Sequence, residues 1–138
     1  MSRTILMLEH DDDDRYITQS VFDENNYAVK VHFVNSSTEL FSFLMGCEDK
    51  NHPFPALILL NHYAVPQNAL EILKALKSNQ KYIHIPVVVL CGTLNHKIVN
   101  DCYAAGANSF IQKPSLSSET NEKISTFVRY WFEIVELP

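Results

Sequence analysis

Positive charge is scarce in this chain and never clustered. Eleven Lys and Arg stand against sixteen Asp and Glu, a net charge of -5, and the basic residues are scattered. A nucleic-acid footprint needs a basic patch, so no nucleic-acid partner is expected. No apolar run approaches the ~18 residues that mark a membrane span, so no membrane association is expected either. The opening MSRTILMLEH has a basic residue and a short apolar run but no signal-cleavage region, and reads as a start that runs straight into a strand. Three cysteines, Cys47, Cys91 and Cys102, are odd in number and lack C-x-x-C spacing. That pattern favours buried or free thiols in a reducing compartment, the cytoplasm, over disulfides. Repeats, linkers and low-complexity tracts are missing too. One domain over residues 1–138, with nothing fused to it, is the expectation, and this length suffices to bury a core.

What is present is a regular alternation. Strand-like runs cover Ile5–Leu8, Val29–Val34, Leu57–Leu60, Pro86–Leu90 and Ser109–Gln112. Continuous apolar stretches such as LILL and VVVL suit strands covered on both faces, as in a parallel sheet. Helix-length segments of the right period fall at 14–25, 37–46, 67–79, 95–105 and 118–136. They place Ile17, Val21 and Phe22 together, then Leu70, Leu73 and Leu76, then Ile98, Cys102 and Ala105. Five β-α repeats with short, right-handed crossovers predict an α/β, doubly wound, five-stranded parallel sheet with helices on both faces.

Ligands of such sheets bind beyond the carboxyl ends of the strands, where the strand order reverses. Those ends deliver Glu9, His10 and Asp11 from the first strand and Asn61 and His62 from the third. The fourth gives Cys91 and Gly92, and the fifth gives Lys113 and Pro114. Of the aspartates Asp11 to Asp14, the last three read as the acidic start of a helix, where negative charge meets the positive end of the helix dipole. Glu9, and Asp11 if it turns inward, would face the crevice.

The pieces ILMLEHDDDD, PALILLN…ALEILKALK, IPVVVLCG and AAGANSFIQKP, in this order and spacing over the whole chain, resemble the receiver domain of bacterial two-component response regulators. The ending RYWFEIVELP resembles the stand-alone receivers found beside phytochrome kinases. The resemblance implies the flavodoxin-like (β/α)5 fold with strand order 2-1-3-4-5, and a non-enzymatic signalling role. It also implies that Asn61 stands where the family has its phosphoacceptor aspartate, and His10 where it has a Mg²⁺-binding aspartate. Cys91, followed by Gly92, stands at the hydroxyl position. Lys113 matches the family lysine and Phe110 the aromatic switch position, without a phenol. Ala69 replaces the usual glycine, and Pro66 lies one residue later than the usual proline. A cis Lys113–Pro114 bond is part of the same implication.

The departures decide the expected function. An amide has no anionic oxygen to attack a phosphoryl donor, so Asn61 cannot form an acyl phosphate. Mg²⁺ prefers carboxylates and waters, and two of the three family carboxylates are gone. No cofactor is therefore expected, with Mg²⁺ at most weakly held by Glu9 and Asp11. His10 and His62 beside Glu9 could suit Zn²⁺, against the blander reading of a histidine bonded to a carboxylate. A thiol at Cys91 is a weak donor; a buried inert thiol outweighs a reactive one there. Lys113, without a phosphoryl partner, is expected to pair with Glu9 or Asp11. The last helix carries a core stripe of Ile124, Phe127, Val128, Trp131 and Val135. Tyr130, Phe132 and Ile134 widen it, either as flanking core or as a second contact surface for a homodimer or a partner helix.

The expected function is a phosphorylation-independent pseudo-receiver, a protein-interaction module whose partner is of the sensor histidine kinase class. The alternative is a phosphorelay receiver using another carboxylate such as Asp11 with Mg²⁺, or a metal-responsive switch. A flavin carrier on the same topology is set aside, because the acidic residues after the first strand would repel a phosphate.

Overall fold

The chain is described from a computed structural model that covers residues 3–114 and 117–138. Strands β1 (Arg3–Leu8), β2 (Val29–Val34), β3 (Leu57–Asn61), β4 (Val87–Cys91) and β5 (Ser109–Gln112) alternate with helices α1 (Asp12–Asn25), α2 (Ser37–Asp49), α3 (Ala69–Lys77), α4 (His96–Ala104) and α5 (Ser117–Arg129). A π-helical turn, Tyr130–Ile134, follows α5. All strands pair in parallel, in the order β2-β1-β3-β4-β5. This is the flavodoxin-like receiver arrangement expected from the sequence, and its order reverses between β1 and β3.

Local signals explain the helix starts. Asp11 caps α1 and Ser36 caps α2, each side chain accepting the N–H three residues on. Asn68 and Glu71 form a reciprocal capping box on α3. Asn95 accepts from Lys97 and Ile98 at α4. Asn26 closes α1 in the left-handed conformation and donates its N–H to the Phe22 carbonyl.

Side chains alternate along each strand, so the sheet has two cores. Leu6, Leu8, Ile58, Leu60, Val87 and Val89 pack under α2, α3 and α4. Ile5, Met7, Leu57, Leu59 and Val88 face α1 and α5. The α3 stripe differs from the expected one: Ile72, Leu73 and Leu76 are fully buried, whereas Leu70 is only half-buried. Leu70 sits in the first turn of α3.

Two other expectations are corrected. The last helix is not α-helical to residue 136: it changes at Arg129 into the π turn, closed by the Val135 N–H donating to the Tyr130 carbonyl. An i to i+5 turn shifts the phase of the side chains, so a 3.6-residue stripe cannot be extended through it. Among the described residues, the cis peptide bond is Val65–Pro66 rather than Lys113–Pro114.

Gly106, between α4 and β5, has φ +110°, and a Cβ there would lie 2.7 Å from the Lys77 side chain. That lysine is held in place by bonds from its ammonium to the carbonyls of Ile83 and Ile85. Gly106→Ala is expected to cost about 1–3 kcal/mol through backbone strain. Gly92→Ala meets nothing within 4 Å and should change stability by less than about 0.5 kcal/mol. Urea denaturation of the two variants checks the contrast.

Candidate functional site

Strand parity builds the site. Glu9 continues the Ile5–Met7 series, Asn61 the Leu57–Leu59 series, and Lys113 follows Ile111 by two. All three therefore emerge on the α1/α5 side of the sheet, beyond the strand ends. Leu8 is in register with Leu60, which brings Glu9 and Asn61 together at the point where the strand order reverses.

Glu9 has no solvent exposure. A carboxylate in that position needs donors for its lone pairs. Lys113 bonds Oε1 through its ammonium. The Asn61 amide donates from Nδ2 to Oε2 at 2.7 Å, and the Asp11 backbone N–H reaches the same oxygen at 3.3 Å. The Lys113 ammonium also pairs with Asp14 Oδ2 at 2.9 Å. Burial alone would pull the Lys113 pKa down, but the bonds and charges of Glu9 and Asp14 outweigh it and raise it.

Asn61 uses both ends of its amide. While Nδ2 donates to Glu9, Oδ1 accepts the N–H of Tyr63 at 3.0 Å. A carboxylate could do only the second, because it has no proton to give and would place a second negative charge against a buried one.

The other expected site residues lie as follows. Asp11 is exposed, and its carboxylate turns away from the crevice to cap α1, accepting from the Asp14 N–H at 3.0 Å. His10 is exposed. His62 is half-buried, its Nδ1 has no partner, and burial lowers its pKa. Its ring meets Tyr63 edge-on, and among the described residues no three His, Cys, Asp or Glu side chains gather as a ligand set. Cys91 is fully buried and Gly92 is exposed. The Cys91 thiol lies 3.6 Å from the Thr93 hydroxyl, which is itself 3.3 Å from the Tyr63 phenol. Those contacts tie the loop after β3 to the loop after β4. All three cysteines are free and buried. Phe110 is half-buried against the α2–α4 core, and its N–H donates to the Tyr103 phenol at 3.2 Å.

Of the three residues expected to widen the C-terminal arc, Phe132 packs against the α1/α5 core, while Tyr130 and Ile134 are exposed. Sequence reasoning missed Asp14 as the second partner of Lys113, and it missed the Tyr63–Thr93 bridge. Asp14 was legible only as first-turn charge. Its place three residues past the Asp11 cap, on the turn nearest the strand ends, was the available signal.

No family model matches the chain. A curated relative, the two-component response regulator ORR1 of Oryza sativa subsp. japonica, is 27% identical over 118 residues, covering 83% of this chain and 51% of the relative. The chain thus spans about half the length of the curated relatives it matches. The Mn²⁺-bound response regulator Rcp1 superposes with a TM-score of 0.87 at 26% identity over 99% of both chains. The phosphorylated cyanobacterial phytochrome response regulator RcpA does so at 0.90 and 24% identity, over 100% of this chain and 99% of its own.

Lys113→Met leaves Glu9 buried without its cation. The expected loss is about 3 kcal/mol, at the low end for a buried pair because Lys113 keeps 21% of its side-chain surface in water. The folded pKa of Lys113 is raised, so its contribution is complete below the unfolded lysine value of about 10.4 and fades as pH rises through the folded one. Denaturation curves should therefore show a constant gap between wild type and variant from about pH 7 to 10, narrowing above.

Proposed function

We propose that this receiver-fold chain is a pseudo-receiver: a non-enzymatic interaction module of two-component signalling that works without accepting a phosphoryl group. The observation that carries the reading is the amide of Asn61 bonded to a Glu9 whose oxygens are already taken. The position that would attack a donor has no nucleophile. The oxygens that would hold Mg²⁺ are engaged by Lys113, Asn61 and the Asp11 N–H. These residues do not fit a Mg²⁺ ion, which asks for several unengaged oxygens in octahedral array. Asp11, the carboxylate the alternative would use as nucleophile, accepts the Asp14 N–H as a helix cap, so nothing favours the relay or metal-switch alternative.

The partner on this reading is a protein, of the sensor histidine kinase class. The likeness to a phytochrome response regulator and to a plant two-component regulator supports that class. Tyr130 and Ile134, exposed at the two ends of the π turn, offer a contact surface for a second copy of the chain through the C-terminal helix face. No helix among the described residues is long and apolar enough to cross a membrane, and the free thiols suit a cytoplasmic setting.

The test is intact mass after incubation with acetyl phosphate and Mg²⁺. The natural chain should stay unmodified. Asn61→Asp should gain one hydroxylamine-labile phosphoryl group, and without Mg²⁺ it should unfold at lower urea than wild type. A phosphoryl group on the natural chain would overturn the reading. For the contact surface, sedimentation velocity should show self-association that Ile134→Asp weakens at least about tenfold; equal sedimentation of the two chains as monomers would rule the homodimer out.

A further inference from the structure

An open sheet has two free edges, and in this one they are β2 and β5. An edge strand presents backbone N–H and C=O groups to any strand that can add to it, and a charged residue on the strand is one common safeguard. β2 has that safeguard in the exposed Lys30. β5 does not. It consists of Ser109, Phe110, Ile111 and Gln112, with no charge and no proline, and with an aromatic and a β-branched side chain at its centre. That composition favours pairing with another strand.

The register identifies the outward groups of β5. Cys91 of β4 lies beside Gln112, and the Lys113 N–H donates to the Cys91 carbonyl at 2.8 Å. Successive residues of a strand direct their backbone groups to opposite sides. Ser109, Ile111 and Lys113 therefore bond towards β4, and Phe110 and Gln112 face the free edge. Both flanking helices reach across to these two residues. Tyr103 of α4 accepts the Phe110 N–H on its phenol oxygen at 3.2 Å. Lys123 of α5 donates from its ammonium to the Gln112 carbonyl at 2.8 Å.

The two capped groups are natural mates. If the β5 strands of two copies met antiparallel about a two-fold axis at Ile111, Phe110 of one copy would lie opposite Gln112 of the other as a hydrogen-bonded pair. The Phe110 N–H would then donate to the Gln112 carbonyl of the second copy, and the axis would generate the same bond in reverse.

We propose that Tyr103 and Lys123 form an autoinhibitory latch on β5 that keeps a second copy of this chain from extending the sheet at that edge. The phenol occupies the donor, and the ammonium occupies the acceptor, that symmetric pairing requires. The latch takes the place of the charge that β5 lacks and β2 has. It is separate from the reading of Asn61 and from the contact surface at the π turn.

The test uses the full chain carrying Ile134→Asp, so that association through the π turn is already weakened. Tyr103→Phe and Lys123→Met are added together, which keep the ring and the aliphatic stem and remove both capping groups. Sedimentation velocity should show self-association at least tenfold tighter than in the Ile134→Asp parent. Adding Gln112→Lys, a charge at an exposed position of the strand, should reverse it. Tyr103→Phe alone, with a smaller shift in the same direction, makes the same test should the combined variant not fold. Unchanged sedimentation of a folded, unlatched chain overturns the latch. Association that Gln112→Lys leaves intact overturns its assignment to β5.

Discussion

A carboxylate with no contact to water governs the end of this sheet. Glu9 follows β1 directly, and the strand's parity leaves it no direction but inward, under α1 and α5. Taking a charge out of water costs several kcal/mol unless the protein supplies a counter-charge and donors. The surrounding residues are arranged around that need. The chain crosses the whole sheet, 104 residues further on, to bring the Lys113 ammonium to one oxygen. The neighbouring strand gives an amide proton to the other. Asp14 then balances the lysine from the first turn of α1. One ion cluster thereby pins three strand ends and a helix.

The same demand accounts for the residue at 61. Beside a buried carboxylate, an amide lowers the energy by donating, whereas a second carboxylate raises it unless a cation intervenes. A receiver that uses a metal can keep two or three acids together because the ion is their common counter-charge. Here an internal ammonium and an internal amide take over that neutralisation. Asn61 and the Lys113–Glu9 pair are thus parts of one electrostatic solution. The weak donor at Cys91 is consistent with it, since no phosphoryl oxygen has to be held on the β4 side.

Most of the fold was legible, and the reasons are specific. LILL and VVVL announced strands covered on both faces, and each short connection left only a right-handed crossover. The convergence of strand carboxyl ends at a doubly wound sheet also made Glu9, Asn61 and Lys113 recognisable as neighbours. What was not legible came from geometry that sequence spacing does not encode. Asp11 and Asp14 differ by about one helical turn, yet Asp11, a candidate for the crevice, caps the helix, and Asp14, read as helix-start charge, reaches the lysine. The π turn changes the residue period after Arg129, so spacing alone could not say which of Tyr130, Phe132 and Ile134 packs inward. The Tyr63–Thr93 contact joins two loops thirty residues apart, and no local pattern signals it.

Closure of the crevice has a consequence for signalling. A ligand shifts a conformational equilibrium only by the difference in its affinity for the two states. In a receiver that takes a phosphoryl group, that difference arises where the group meets the lysine and the hydroxyl at the end of β4. In this chain the lysine is already bound twice, the hydroxyl is a thiol, and Phe110 already packs against the core. Little remains at the strand ends for a phosphoryl group to discriminate. On the proposed reading, switching would enter through surfaces that are incompletely packed, and among the described residues those include the α1/α5 side and the π turn. The tight face under α2 to α4 has no comparable freedom. On the pseudo-receiver reading proposed above, control would belong to contacts on the α1/α5 side, and not to chemistry at position 61.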